Sequence, residues 1–222
     1  MKELLLLTAL TLFGCSNTKE QTMIETQKCD VGIFTHSVNS PKCHLQNDTI
    51  TIHSGAKADF FNAPDKSART ANAPLLLKEI DNTKPFTFTT IVKPDFKNTY
   101  DAGAVYLFYN EDLWQKFAFE MDERGYTRLV TVRTIGTSDD NNHDSITQEK
   151  VYMKISSDTQ NIGFYYSLDG ELWQLARLYR NEYPEKIYIA LSSQSPIGDG
   201  IAAQFTGIEL TENSIKNFRL GL

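Results

Sequence analysis

"LWQKFAFEMDERGYTRLVTVRT", from Leu113 to Thr134, decides the fold. In the strand period, Phe117, Phe119 and Met121 fall on one side, and Trp114, Lys116, Glu120 and Asp122 on the other. After the polar break Glu123-Arg124-Gly125 the alternation resumes. Val130 and Val132 are expected to look inward, leaving Leu129, Thr131 and Arg133 opposite. Pairing of the two runs through that break predicts a hairpin with Glu120 and Arg133 on one face. A face bearing Trp, Lys, Glu and Arg is uncommon for a core. It suits a ligand groove, or a solvated face with cross-strand charge pairs worth about 0.2–1 kcal/mol each.

The same alternation extends in both directions. "TITIH" (Thr49–His53), "PFTFTTIVK" (Pro85–Lys93), "AGAVYLFY", "VYMKIS", "IGFYYSL", "ELWQLARLY", "KIYIALSS" and "AAQFTGIEL" all read as strands separated by polar breaks. Only "APLLLKEI" (Ala73–Ile80) tempts a helical reading, and it is short and begins with Ala-Pro. Around ten strands in one chain of this length predict a two-sheet sandwich or a barrel. Within "YYSLDGELWQLARLY" (Tyr165–Tyr179), Asp169-Gly170 is a preferred pair for a tight hairpin, because such turns need positive φ. The sialidase-type Asp box requires one more residue between its Asp and Gly, so this stretch reads as a turn. Trp173, just beyond it, is expected to be structural.

The amino-terminal end has a different character. "LLLLTALTLF" (Leu4–Phe13) is too short to span a bilayer comfortably but suits a signal-peptide core. The following "LFGC" resembles a bacterial lipoprotein cleavage box, with Phe13 in place of the usual small residue. That resemblance implies a signal segment over 1–14 and lipidation at Cys15. It also implies a cell-envelope location, with no Asp after the Cys to divert the chain from the outer membrane. Residues 15–28 are polar and read as a tether, and 29–222 as a single domain. With Cys15 lipidated, Cys29 and Cys43 remain for a disulfide closing a loop of about fifteen residues, worth roughly 3 kcal/mol. Two free thiols are the alternative.

Several functions are disfavoured. The formal charge is −6 and no basic block stands out, so nucleic acid is not an expected partner. No Gly-rich phosphate loop or nucleophile elbow occurs, and no cofactor is expected. The four histidines are too scattered for a zinc site. "SDDNNHD" (Ser138–Asp144) is rich in oxygen ligands. However, counting from Asp139, Asp144 and Lys150 replace the Gly and Glu of a calcium loop, so a polar loop is expected there.

The order of these pieces resembles a family of unknown function with a concanavalin A-like jelly roll, which includes the fungal "regulation of enolase" protein. The resemblance is carried by "ADFFNAP" (Ala58–Pro64), "DAGAVYLFYNEDLWQKFAFEMDERG" (Asp101–Gly125), "RLVTVRT" (Arg128–Thr134) and "YSLDGELWQLARL" (Tyr166–Leu178). It spans roughly Phe34 to Leu210. Phe61 stands where the family has Trp, and Asp140 where an aromatic follows Ser-Asp. The resemblance implies an all-β, two-sheet antiparallel sandwich and no established reaction.

The reading favoured by the sequence is a membrane-anchored, lectin-like lipoprotein. Trp114, Lys116, Glu120 and Arg133 form the expected groove face, with Asp59 and Phe61 near its rim. Arg and Glu would bond sugar hydroxyls, and Trp114 would stack on a ring. A jelly-roll glycoside hydrolase or lyase using Glu120 is the second reading. Retaining hydrolysis needs two carboxyls about 5–5.5 Å apart, and Glu123, directly after Asp122, is expected to point away. A lipoprotein that docks a protein partner in the envelope is the third.

Overall fold

The computed structural model describes residues 23–27 and 31–222. The segment read as a signal, Cys15 and Cys29 lie outside the described residues. Cys43 is half-buried, and its Sγ accepts a hydrogen bond from Gln27 Nε2 at 3.3 Å.

All regular structure among the described residues is β, in two large antiparallel sheets and a small ribbon. The first large sheet contains β1 (Glu25–Thr26), β2 (His36–Val38), β7 (Leu75–Asp81), β9 (Ala102–Asn110), β10 (Leu113–Met121), β11 (Thr127–Ile135), β12 (Thr137–Ser145) and β16 (Lys186–Gln194). The second contains β3 (Lys42–Gln46), β4 (Thr49–His53), β8 (Phe86–Pro94), β13 (Val151–Ser157), β14 (Asn161–Ser167), β15 (Gln174–Arg180) and β17 (Ala202–Thr211). The ribbon is β5 (Phe60–Asn62) with β6 (Arg69–Ala71). Spatial orders are β1-β2-β7-β16-β9-β10-β11-β12 and β15-β14-β13-β8-β17-β4-β3. This is a concanavalin A-like jelly-roll sandwich, as the resemblance implied. The sheet begins inside the segment read as tether, since Glu25 and Thr26 pair with Ser37 and His36.

The two faces of the eight-stranded sheet are both apolar. One presents Leu107, Phe117, Phe119, Leu129 and Ile189 to Phe88, Ile155, Phe164 and Phe205 of the other sheet, forming the main core. The opposite face gathers Leu77, Tyr106, Trp114, Ala118, Val130 and Val132 beneath Phe60 of the ribbon. Phe60 meets Tyr106, Phe108 and Trp114 edge-on at 5.8–6.2 Å, geometry that aromatic pairs favour.

This second core corrects two sequence expectations, and the strand assignments correct two more. In the β10–β11 register, Lys116 lies opposite Val132, Gln115 opposite Arg133, and Phe119 opposite Leu129. Directly opposed residues share a face, so Val130 and Val132 lie with Trp114 and Lys116, and Arg133 is on the far side from Glu120. Alternation located the strands but could not tell inside from outside, because both faces are covered. "SDDNNHD", expected as a loop, is most of β12, an edge strand whose charges discourage further pairing. Runs β14 and β15 pair as expected, but six residues separate them rather than a two-residue turn. Asp169 Oδ1 accepts from the amides of Glu171 and Leu172, and Gly170 takes φ 84°. Trp173 lies under the Lys154 ammonium at 3.6 Å, in keeping with a structural role.

Candidate functional site

Lys116 organises the site. It projects from the centre of β10 toward the ribbon and is only 4% exposed. Its three donors go to Asp59 Oδ1, Phe60 O and Gln194 Oε1, each at 3.1 Å. Gln194 in turn donates through Nε2 to the Tyr106 hydroxyl. Burial works against the lysine charge, but Asp59, Tyr106 and Glu120 together hold its pKa above the ordinary value. Asp59 Oδ1 also accepts from the Phe60 amide at 2.8 Å. The network ties β5 to β10 and β16, with every hydrogen of the ammonium used.

Beside this clamp, between the ribbon and the neighbouring parts of β10 and β12, lies a pocket of about 410 Å³ on the outer face of the sheet. Asp59, Phe61, Lys116 and Glu120 line it, which brings together four of the six residues singled out from the sequence. The other two lie elsewhere. Trp114 is fully buried under Phe60, its Nε1–H donated to Glu111 O at 3.1 Å, so no ring face is available for stacking. Arg133 sits on the core side, with its guanidinium 4.7 Å from the Tyr179 ring centroid and 3.2 Å from Glu182.

Six other lining residues were not singled out from the sequence, and three of them bear on the chemistry. Glu123 reaches the pocket because β10 ends at Met121 and strand parity does not carry through the turn. Asp140 arrives from β12, where it pairs with Val132 across from Lys116. Tyr100 stands at the mouth, 38% exposed, with φ 66°. Positive φ is uncommon outside Gly and Asn and costs roughly 1–2 kcal/mol. A rigid loop imposes it here. The Tyr100 amide is bonded to Met121 O at 2.6 Å. The fully buried Asp101 accepts from the amides of Lys97 and Asn98 and from Ser195 Oγ.

Glu120 is half-buried, and its carboxyl makes no hydrogen bond or ion pair among the described residues. Desolvation pushes its carboxyl up to about 8; Lys116 pulls the other way, while Asp59, Asp140 and Glu123 add to the rise. Asp122, which strand parity placed on the face of Glu120, is a turn anchor. Its carboxylate accepts from the amides of Arg124 and Tyr126 and from Arg128 Nε, with Arg128 Nη2 at 2.6 Å. Burial opposes that charge, but those bonds hold the Asp122 pKa below the carboxylate range. A larger hollow of about 590 Å³ opens between Lys93, Glu149 and Gln204. Its facing charges neutralise each other, with Lys93 Nζ 2.7 Å from Glu149 Oε2.

Residues 38–213 match the family described as "Protein of unknown function (DUF1349)". The chain belongs to this family. No curated protein matches the DUF1349 chain in sequence. Among solved structures it is similar to a functionally unknown protein from Saccharomyces cerevisiae, at TM-score 0.73 and 19% identity, covering 79% of this chain and 95% of that one. An engineered GH43 glycoside hydrolase with endo-xylanase and exo-arabinofuranosidase activity gives TM-score 0.61 and 15% identity over 90% of this chain. The match spans 42% of that enzyme. The exoplasmic/lumenal domain of VIP36, in a Ca2+/Man3GlcNAc-bound form, gives TM-score 0.50 and 7% identity, covering 80% and 84% of the two chains. At these identities the likeness is one of fold.

Proposed function

We propose that this DUF1349 protein binds carbohydrate in the pocket beside the ribbon, and that Cys15 anchors it by lipid to a bacterial envelope membrane. The observation that carries the binding reading is Tyr100. A rigid loop holds an aromatic ring at a strained φ at the mouth of a pocket whose unengaged carboxyl is Glu120. Strain of this kind persists where the surroundings over-determine it, and it clusters at ligand sites. Tyr100 supplies a face for a sugar ring, while Glu120, Asp59 and Asp140 supply acceptors for hydroxyls. Fold neighbours that include a glycan-bound lumenal domain and a glycoside hydrolase lend further support.

A glycan array with polysaccharide retention, run on the chain from Ser16 onward, tests this. Retention should weaken roughly tenfold in Tyr100→Ala and in Glu120→Ala with little change in melting temperature. Arg133→Ala, on the other face of the sheet, should retain glycan as the parent does. Silence across the panel, or equal loss in Arg133→Ala, would remove the reading.

One observation favours a hydrolase as a second reading. A carboxyl whose pKa burial raises to about 8, as at Glu120, is suited to general-acid catalysis. Product analysis on every retained glycan discriminates the two: turnover that vanishes in Glu120→Gln would promote the enzyme.

A further inference from the structure

We infer that the pocket beside the ribbon is one end of a longer cleft, which crosses the loop end of the sandwich into the hollow of about 590 Å³ and takes an oligosaccharide chain. This rests on the glycan-binding reading and names the class of ligand the site takes. The same two connections build both hollows. The β8–β9 loop supplies Phe96 to the larger and Tyr100 to the smaller. The β10–β11 turn supplies Glu123 to the smaller and leads into Thr127, which lines the larger. These connections are bonded to each other, the Tyr100 amide to Met121 O at 2.6 Å and the Met121 amide to Asp101 O at 3.1 Å. The β12–β13 loop hangs from Thr127, whose carbonyl accepts from the Ile146 amide at 2.8 Å and whose hydroxyl donates to Ile146 O at 2.5 Å. That loop carries Thr147, Gln148 and Glu149 to the far wall of the larger hollow. Opposite them stand Lys93 and Gln204, directly paired on the second sheet. Packed sheets lie roughly 10 Å apart, a span that a chain of a few sugar units can cross.

The larger hollow has the chemistry of a hydroxyl-rich ligand. Lys93 and Glu149 are spent on each other at 2.7 Å, which leaves Thr147, Gln148 and Gln204 to present donors and acceptors. Phe96 gives the hollow an apolar surface, held in place edge-on to Phe119 of the main core at 5.1 Å. Tyr126, 59% exposed, stands in the turn between Glu123 and Thr127, so each of the two shared connections carries an exposed ring. Such rings offer a face to the apolar side of a sugar. A chain that fills both hollows makes its second set of contacts without a second loss of translational freedom.

Oligosaccharide ladders from dimer to octamer test this, on the backbone that the array retains most strongly and on β-1,4-xylan, β-1,4-glucan and β-1,4-mannan. Affinity by calorimetry should rise at least about tenfold between dimer and hexamer and then level off. The double variant Gln148→Ala with Gln204→Ala should abolish that rise. Dimer binding and melting temperature should stay as in the parent, because both side chains are exposed. Tyr126→Ala should weaken the hexamer alone, whereas Tyr100→Ala should weaken every length. Equal affinity at all lengths would overturn the inference and leave glycan binding standing. A rise that survives the double variant would be the statistical gain of a longer ligand, and would overturn it too. Loss of dimer binding in the double variant would put the primary site in the larger hollow and overturn the order of the two. Failure of every ladder, together with a silent array, would take down the glycan reading itself.

Discussion

At Lys116 and Glu120, four residues apart on one face of β10 with Ala118 between them, burial has opposite outcomes. Lys116 is buried with three acceptors and keeps its charge; Glu120 has none and tends to lose it. Replacing Lys116 by Met strands the Asp59 carboxylate and the Gln194 amide oxygen. It should cost about 3–5 kcal/mol in chemical denaturation, partly recovered when Asp59 is also made Asn. Glu120 predicts a pH effect of definite sign. Its folded pKa of about 8 lies above its ordinary value of 4.5, so between those limits the native state holds a proton that the unfolded chain has released. The Glu120 contribution is therefore fully present below pH 4.5 and is lost as pH rises to about 8. Melting curves across that range should show a smaller loss of stability in Glu120→Gln than in the parent. Identical slopes would mean that the carboxyl is solvated. These side-chain roles were only half legible in sequence. Parity placed Lys116 and Glu120 together, but nothing in the string marks Tyr100 as the residue in a left-handed turn, and Trp114 attracted a ligand role because its cover, Phe60, is distant in the chain.

The ribbon and the carboxy-terminal segment each cover one outer face of the sandwich, and this explains what strand patterning missed. Alternation assumes one wet face and one dry face. β10 and β11 have two dry faces, so their hairpin was read correctly while its orientation was not. β12 was missed for the converse reason: an edge strand tolerates Asp and Asn that strand preference disfavours. On the second sheet, residues after β17 lie across β13 and β14. Tyr165 donates its hydroxyl to Phe218 O at 2.7 Å, Lys154 Nζ donates to Gly221 O at 2.9 Å, and the Ile215 amide donates to Ser156 Oγ at 3.0 Å. Ending the chain after Asn213 removes these bonds and uncovers a fully buried tyrosine ring, at about 1 kcal/mol per bond. A fall in melting temperature of roughly 5–10 °C is expected by calorimetry. Glycan retention should be unchanged, because the pocket is on the other sheet. Loss of retention at intact stability would place the ligand site on the second sheet instead.

For the whole molecule, charge constrains how a membrane can be reached. No helix among the described residues is long and apolar enough to cross a bilayer. The formal charge of −6 opposes adsorption to anionic headgroups. On the proposed reading, attachment comes through a lipid at Cys15. One acyl chain holds a protein only marginally and two hold it firmly. The sandwich begins its main strands at His36, so the anchor and the pocket are separable by mutation. In a bacterial host, the full chain should sediment with membranes, resist washing in 1 M salt and enter the detergent phase. Cys15→Ala should lose that detergent-phase partition while retaining the same glycans as the parent. A Cys15→Ala chain that stays in the detergent phase would assign attachment to another part of the protein. A parent released by salt alone would replace the lipid with a protein partner at the membrane surface.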